Sequence, residues 1–228
     1  MFENWDILLA RYQKQRGGWF FCQDTGAWSR SDSQLVLAEG EKTPLLVFFH
    51  VDVSGRTVYT SLAARTTVHL DGEYKLFIRP KNLVGSGFQA VMHFAGENRS
   101  YGDPQALKGR MVTTSRQDVT KLVLGDLALR NALTRRTTEY LRVGPTPLED
   151  GSHTIEVGVT GLDGTLTAPN SHWVTPAIQL VDTTSSSDSG WEAVLAQADR
   201  DFAAQMDGFL DFLRAARDAV TRWPVSQP

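Results

Sequence analysis

The chain has one cysteine in 228 residues, Cys22. A single thiol closes no disulfide within the chain and supplies no multi-cysteine zinc site. No stretch approaches the ~18 uninterrupted apolar residues of a membrane-spanning helix, so no transmembrane segment is expected. The first residues, Met1-Phe2-Glu3-Asn4-Trp5-Asp6, are acidic where a secretory signal is basic. The apolar stretch behind them, Ile7 to Ala10, is too short for a signal core. These absences point to a reducing compartment and a cytoplasmic location.

Motifs for common chemistries are missing too. No glycine loop runs into the Lys-Ser/Thr pair of a P-loop. Val84-Gly85-Ser86-Gly87 sets a serine between glycines but lacks the nucleophile elbow and its strand-turn-helix setting. The same segment fails as a dinucleotide fingerprint, because a strand follows it rather than a helix. It reads as a loop hinge. Nucleic-acid binding would want a strongly basic domain with aromatics among the basic residues. The sequence pI is about 5.9, and no aromatic lies between Gly102 and Tyr140. No nucleic-acid partner and no cofactor are expected.

What is present is a globular composition, 41% hydrophobic and 21% charged. Charge is unevenly spread. Residues 79–142 carry 11 basic against 5 acidic side chains, and residues 143–228 carry 4 against 12. Arg130, Arg135 and Arg136, with Lys121 and Arg116 nearby, are the densest basic patch. They are candidates for a phosphate, a lipid headgroup or an acidic partner; a solvated or internally paired face is the alternative. Of 23 basic residues 17 are arginine, which suits fixed pairs with carboxylates.

Periodicity organises the chain. Trp5, Leu8, Leu9 and Tyr12 recur at helical spacing, predicting a helix over 4–16 that Gly17-Gly18 stop. Trp19 to Cys22, Leu35 to Leu37 and Leu45 to Val53 read as strands separated by turn signals. Cys22 is expected to be buried on its strand and inert. Val68 and Leu70 before Asp71-Gly72, and Tyr74, Leu76 and Ile78 after it, predict a hairpin. A three-residue loop, 71–73, would pair Leu70 with Tyr74 and Val68 with Leu76 and keep one apolar face. Phe88 to Phe94 alternates as a further strand, and Arg110 to Thr114 as another. Ser115 with Asp118 predicts a capped helix, and Gly125-Asp126 break and recap it. Strands follow over 138–143 and 153–160. Residues 182–188 are a polar low-complexity stretch.

From Leu76 to Thr160 several motifs occur in order: Leu76-Phe77-Ile78-Arg79-Pro80-Lys81-Asn82, Tyr101-Gly102-Asp103-Pro104, Met111 to Ser115 with Asp118, and Leu124 to Leu133. This part of the chain resembles an uncharacterised bacterial domain whose members are often tethered to membranes by preceding hydrophobic helices. The resemblance implies an α+β fold in a bacterial protein and carries no activity. The chain departs from the pattern in having no membrane helix.

One pattern suggests metal ligation. His50-Val51-Asp52 and His69-Leu70-Asp71 repeat His-x-Asp, and residues i and i+2 of a strand share a face. Against a four-ligand site, both aspartates precede turns, where Asp is favoured anyway. No metal is expected.

The longest signal lies at the C-terminus. From Trp191 the apolar stripe runs through Leu195, Phe202, Met206, Phe209 and Leu213 to Trp223, about nine helical turns. A wet stripe of this size would exceed what soluble monomers expose. It is therefore expected to be buried, either on its own sheet or on another copy. The second outcome would make the protein a homo-oligomer or bind a protein partner, and truncation after Asp188 would leave a folded monomeric core.

The expected fold is α+β: a mostly antiparallel sheet covered by helices, with a long C-terminal amphipathic helix. The expected layout is an α+β domain over 1–182, a polar linker over 183–189 and the helix over 190–223. The expected function is a non-catalytic bacterial protein-interaction or scaffolding module; the alternative is a small-ligand or anion-binding domain.

Overall fold

Short apolar strands punctuated by turns, followed by helical spacing, fold into eight strands and four helices among the described residues. The computed structural model describes residues 3–24, 30–40, 42–54, 57–81, 101, 105–144, 151–160 and 188–222. In chain order the elements are α1 (Glu3–Arg16), β1 (Trp19–Asp24), β2 (Arg30–Glu39), β3 (Lys42–Ser54), β4 (Thr57–His69), β5 (Leu76–Pro80) and β6 (Arg110–Thr114). Then come α2 (Gln117–Val123), α3 (Leu127–Arg135), β7 (Tyr140–Val143), β8 (Ser152–Thr160) and α4 (Asp188–Thr221). The strands form one antiparallel sheet in the order β1-β2-β3-β4-β8-β7-β5-β6. The fold is thus α+β.

The chain divides into two compact units, Met1–Ala64 with Val159–Leu210, and Arg65–Gly158 with Asp211–Pro228. The long helix expected over 190–223 spans Asp188–Thr221, and its residues fall in both units. The expected linker over 183–189 lies, up to residue 187, outside the described residues, as does the expected strand Phe88 to Phe94.

In the first unit, α1 ends at Gly17 and Gly18, whose φ values of +80° and +91° favour glycine. Gly18 has a second reason. A Cβ there would meet the Val36 carbonyl oxygen at 2.1 Å, so glycine lets β1 start close beside β2. The register then sorts the side chains. Phe20 lies opposite Leu35 and Cys22 opposite Ser33, while Trp19 lies opposite Val36 and Phe21 opposite Gln34. Leu35, Leu37, Leu45, Val47 and Phe49 form the buried face. Helix α1 sits on that side, where the Asp6 carboxylate accepts from the buried Ser33 hydroxyl. The first half of α4 is tied to α1. Arg11 donates to both Asp199 oxygens at 3.1–3.2 Å, Tyr12 Oη donates to Asp207 at 2.6 Å, and Arg16 pairs with Asp207. Burial and the Asp207 carboxylate both push the Tyr12 phenol above its usual range.

In the second unit, β5 lies between β6 and β7, with Ile78 opposite Val112 on one side and Leu141 on the other. The expected hairpin of Val68–Leu70 with Tyr74–Leu76 is therefore not formed, since β4 neighbours β3 and β8 instead. Sidedness nonetheless holds: Val68, Leu70, Tyr74, Leu76 and Ile78 are all buried. Apolar alternation constrains which face a residue occupies and says little about which strand lies beside it.

Helices α2 and α3 cover one face of these strands. Thr114 Oγ1 lies 2.7 Å from Thr120 Oγ1 of α2, and Tyr74 Oη lies 2.9 Å from the same hydroxyl. Buried Arg110 donates to the carbonyls of Leu133, Glu139 and Arg136, capping the C-terminus of α3. Burial lowers its guanidinium pKa to about 10, against the pull of Glu139. Asp126 caps α3 as its sequence implies, accepting from Leu129 N at 3.0 Å. Ser115 does not cap α2; its hydroxyl accepts from Lys75 N instead, and Arg116 occupies the cap position.

Candidate functional site

The residues singled out from sequence are dispersed by the fold. His50 and Asp52 belong to the first unit, and His69 and Asp71 to the second. His50 Nδ1 pairs with Asp32, the residue directly opposite it on β2. The Asp52 side chain lies outside the described residues. His69 ends β4, and Asp71 lies beyond it in a bend, so no strand period aligns them. Among the described residues no group of three or more His, Cys, Asp or Glu side chains is placed to hold a metal.

The arginine patch is also spread out. Arg130 and Arg135 are five residues apart on α3, which sets them about 140° apart round the helix. Arg135 is exposed, Arg130 is half-buried, and Arg136 is ion-paired to buried Glu139 at 3.3 Å. Cys22, expected to be buried, is exposed, with its sulfur 3.4 Å from Asp6 Oδ2. It sits on the α1 side of β1, which among the described residues is a terminal strand paired only with β2.

The C-terminal stripe is covered by its own chain wherever it is described. Phe202 is buried, and Met206, Phe209 and Leu213 are 0% exposed. Leu210, Phe212, Ala216, Ala219 and Val220 are equally inaccessible. The side chains of Trp191 and Leu195, and all of Trp223, lie outside the described residues. The buried part of the stripe has no apolar surface left to offer a second chain.

Two other surfaces emerge, one in each unit. In the first, the sheet face away from α1 carries rows fixed by register: Trp19–Val36–Leu46, then Phe21–Gln34–Phe48, then Asp32–His50. Trp19 is 60% exposed and Phe21 57%. Val36, Leu46 and Phe48 are half-buried beside them. Alternation in Trp19-Phe20-Phe21-Cys22 was the available signal, but a sequence does not say that this strand ends the sheet.

In the second unit, the face opposite α2 and α3 is polar and aromatic. One row reads Phe77–Arg142–Glu156 across β5, β7 and β8, and Tyr140 lies opposite Gly158 beside it. Glu156 is buried, and both its oxygens are engaged. Oε1 accepts from Tyr140 Oη at 2.8 Å and Oε2 pairs with Arg65 of β4. The Tyr140 ring lies over Gly158, where a Cβ would meet it at 2.3 Å. Phe77 packs edge-on against Tyr140 at 6.1 Å. Burial first, and then the Glu156 charge, hold the Tyr140 phenol far above its ordinary range. Arg142 is half-buried and makes no hydrogen bond or ion pair among the described residues.

Comparison of the chain with protein-family models, with curated proteins and with solved structures finds no match.

Proposed function

We propose that the protein is a non-catalytic protein-binding domain that receives an extended apolar segment of a partner along β1. The observation that carries this reading is the pair Trp19 and Phe21, both more than half exposed, on one face of the terminal strand. Natural sheet edges are usually blunted by charge, proline or a covering element. Here the sequence Trp19-Phe20-Phe21-Cys22 puts large apolar groups there instead. A strand added beside β1 would take main-chain hydrogen bonds from the edge that no described strand pairs with, and lay alternate side chains against Trp19 and Phe21.

Area favours a peptide over a second copy. Two aromatics of about 200 Å² each, somewhat over half exposed, leave on the order of 250 Å². A stable interface needs about 800 Å² per partner. The shortfall is what edge hydrogen bonds to a single extended strand would complement.

A selection of short random peptides displayed against the full chain tests this. Enrichment of sequences with alternating apolar residues, lost against a Trp19→Ser/Phe21→Ser variant of unchanged melting temperature, is the expected result. Equal enrichment on both proteins, or none on either, refutes it. Concentration-dependent mass of the full chain, abolished by the same variant, would replace the peptide by a second copy.

A further inference from the structure

We propose that the corner between α2 and α3 of the second unit docks onto an anionic membrane surface, with Leu122 and Leu127 entering the lipid interface and Lys121 and Arg135 meeting its headgroups. Four large apolar side chains are exposed among the described residues: Trp19 and Phe21 on β1, and Leu122 at 46% and Leu127 at 66% here. The two leucines bracket a tight turn. Gly125 N donates to the Leu122 carbonyl at 2.9 Å, and Asp126 N to that of Val123 at 3.1 Å. Buried Val123, Leu124, Asp126 and Leu129 root the turn, while Lys121, Leu122, Gly125, Leu127 and Ala128 are exposed.

The carboxylates of these two helices and their caps are already matched. Asp118 pairs with Arg116 at 2.9 Å, and buried Asp126 caps α3 and pairs with Arg222 at 2.5 Å. Lys121 and Arg135 are exposed and make no hydrogen bond or ion pair among the described residues. On α3, Leu127, Ala128, Asn131 and Arg135 are all exposed and fall within about 100° of one another round the helix, a stripe without an acidic residue. An apolar tip beside unpaired cations meets both requirements of interfacial binding, apolar area to bury and attraction to anionic headgroups. A protein partner fits less well. A stable interface takes about 20–30 residues a side, whereas Leu122 and Leu127 are the large apolar side chains exposed here. This surface is independent of β1 and would stand if the peptide reading failed.

Co-sedimentation of the full chain with lipid vesicles tests the proposal. Binding to mixed phosphatidylserine–phosphatidylcholine vesicles at low salt is expected, falling as salt rises and much weaker on phosphatidylcholine alone. Leu122→Ser/Leu127→Ser should lower the partition coefficient about tenfold or more. Lys121→Gln/Arg135→Gln should lower it about 25-fold, at roughly fivefold for each cation near the surface. Trp19→Ser/Phe21→Ser, which disables the β1 surface, should leave it unchanged. If the leucine variant does not keep the wild-type melting temperature, Leu127→Gln carries the apolar arm with the same expected direction. Three outcomes overturn the proposal: no binding to the mixed vesicles, binding lost in the charge variant but kept in the leucine variant, or an equal loss in Trp19→Ser/Phe21→Ser.

Discussion

His153 should make the protein lose stability as the solution turns mildly acidic. It is 1% exposed at the start of β8, and among the described residues neither ring nitrogen reaches a partner in good hydrogen-bond geometry. Burial lowers its pKa below the ordinary 6.5, assisted by the neighbouring His69 ring. The Gly151 backbone and the Glu73 carboxylate favour the charged ring but do not outweigh burial. The sign follows. Between the depressed folded value and about 6.5, the unfolded chain holds a proton that the folded chain does not. Stability from this group is therefore full above about pH 6.5 and is lost as pH falls below it. The slope over that window is at most ~1.4 kcal/mol per pH unit. His153→Leu removes both the titration and the two ring nitrogens, each of which costs about 1–3 kcal/mol when buried without a partner. Urea unfolding of wild type and variant across this range is the assay. The variant should be at least as stable at neutral pH and show a flatter pH dependence. His69→Gln, on the exposed neighbour, should keep most of the wild-type slope. Parallel curves for wild type and His153→Leu would refute the reasoning.

Other sites give separate expectations. Gly158→Ala should cost about 2–3 kcal/mol in chemical denaturation, because its Cβ would fall 2.3 Å from the buried Tyr140 ring. Arg110→Met should lower stability by about 2–4 kcal/mol, since three main-chain carbonyls at the end of α3 lose their donor. Truncation after Asp188 should give an unfolded chain by circular dichroism. It strips out Met206, Phe209, Leu210, Phe212 and Leu213, all 0% exposed. At about 1.5–3 kcal/mol each, their loss rivals the whole net stability of a domain, about 5–15 kcal/mol. A folded core would show that α4 is dispensable. Exposed Cys22 should react with a thiol reagent in the native state, and labelling only after denaturation would contradict its placement.

Sequence by itself determined the elements and their sides. Helical spacing located α1 and the long α4, and glycine and aspartate chemistry stopped α1 and capped α3. Alternation assigned Leu45, Val47 and Phe49 to a buried face, and they are buried. These are local signals, read within a few residues. Tertiary structure decided everything that depends on neighbours distant in the chain. It placed β5 beside β6 and β7 rather than beside β4. It covered the α4 stripe from within and gave Asp199 and Asp207 to arginines of α1. It separated the two His-x-Asp pairs into different units, and matched His50 with Asp32 instead. It also left Trp19 and Phe21 exposed on β1, which among the described residues pairs only with β2. A residue's period says which way it points. What it meets there is set by pairings whose partners lie tens of residues away, as with Arg65 and Glu156, and no local pattern encodes them.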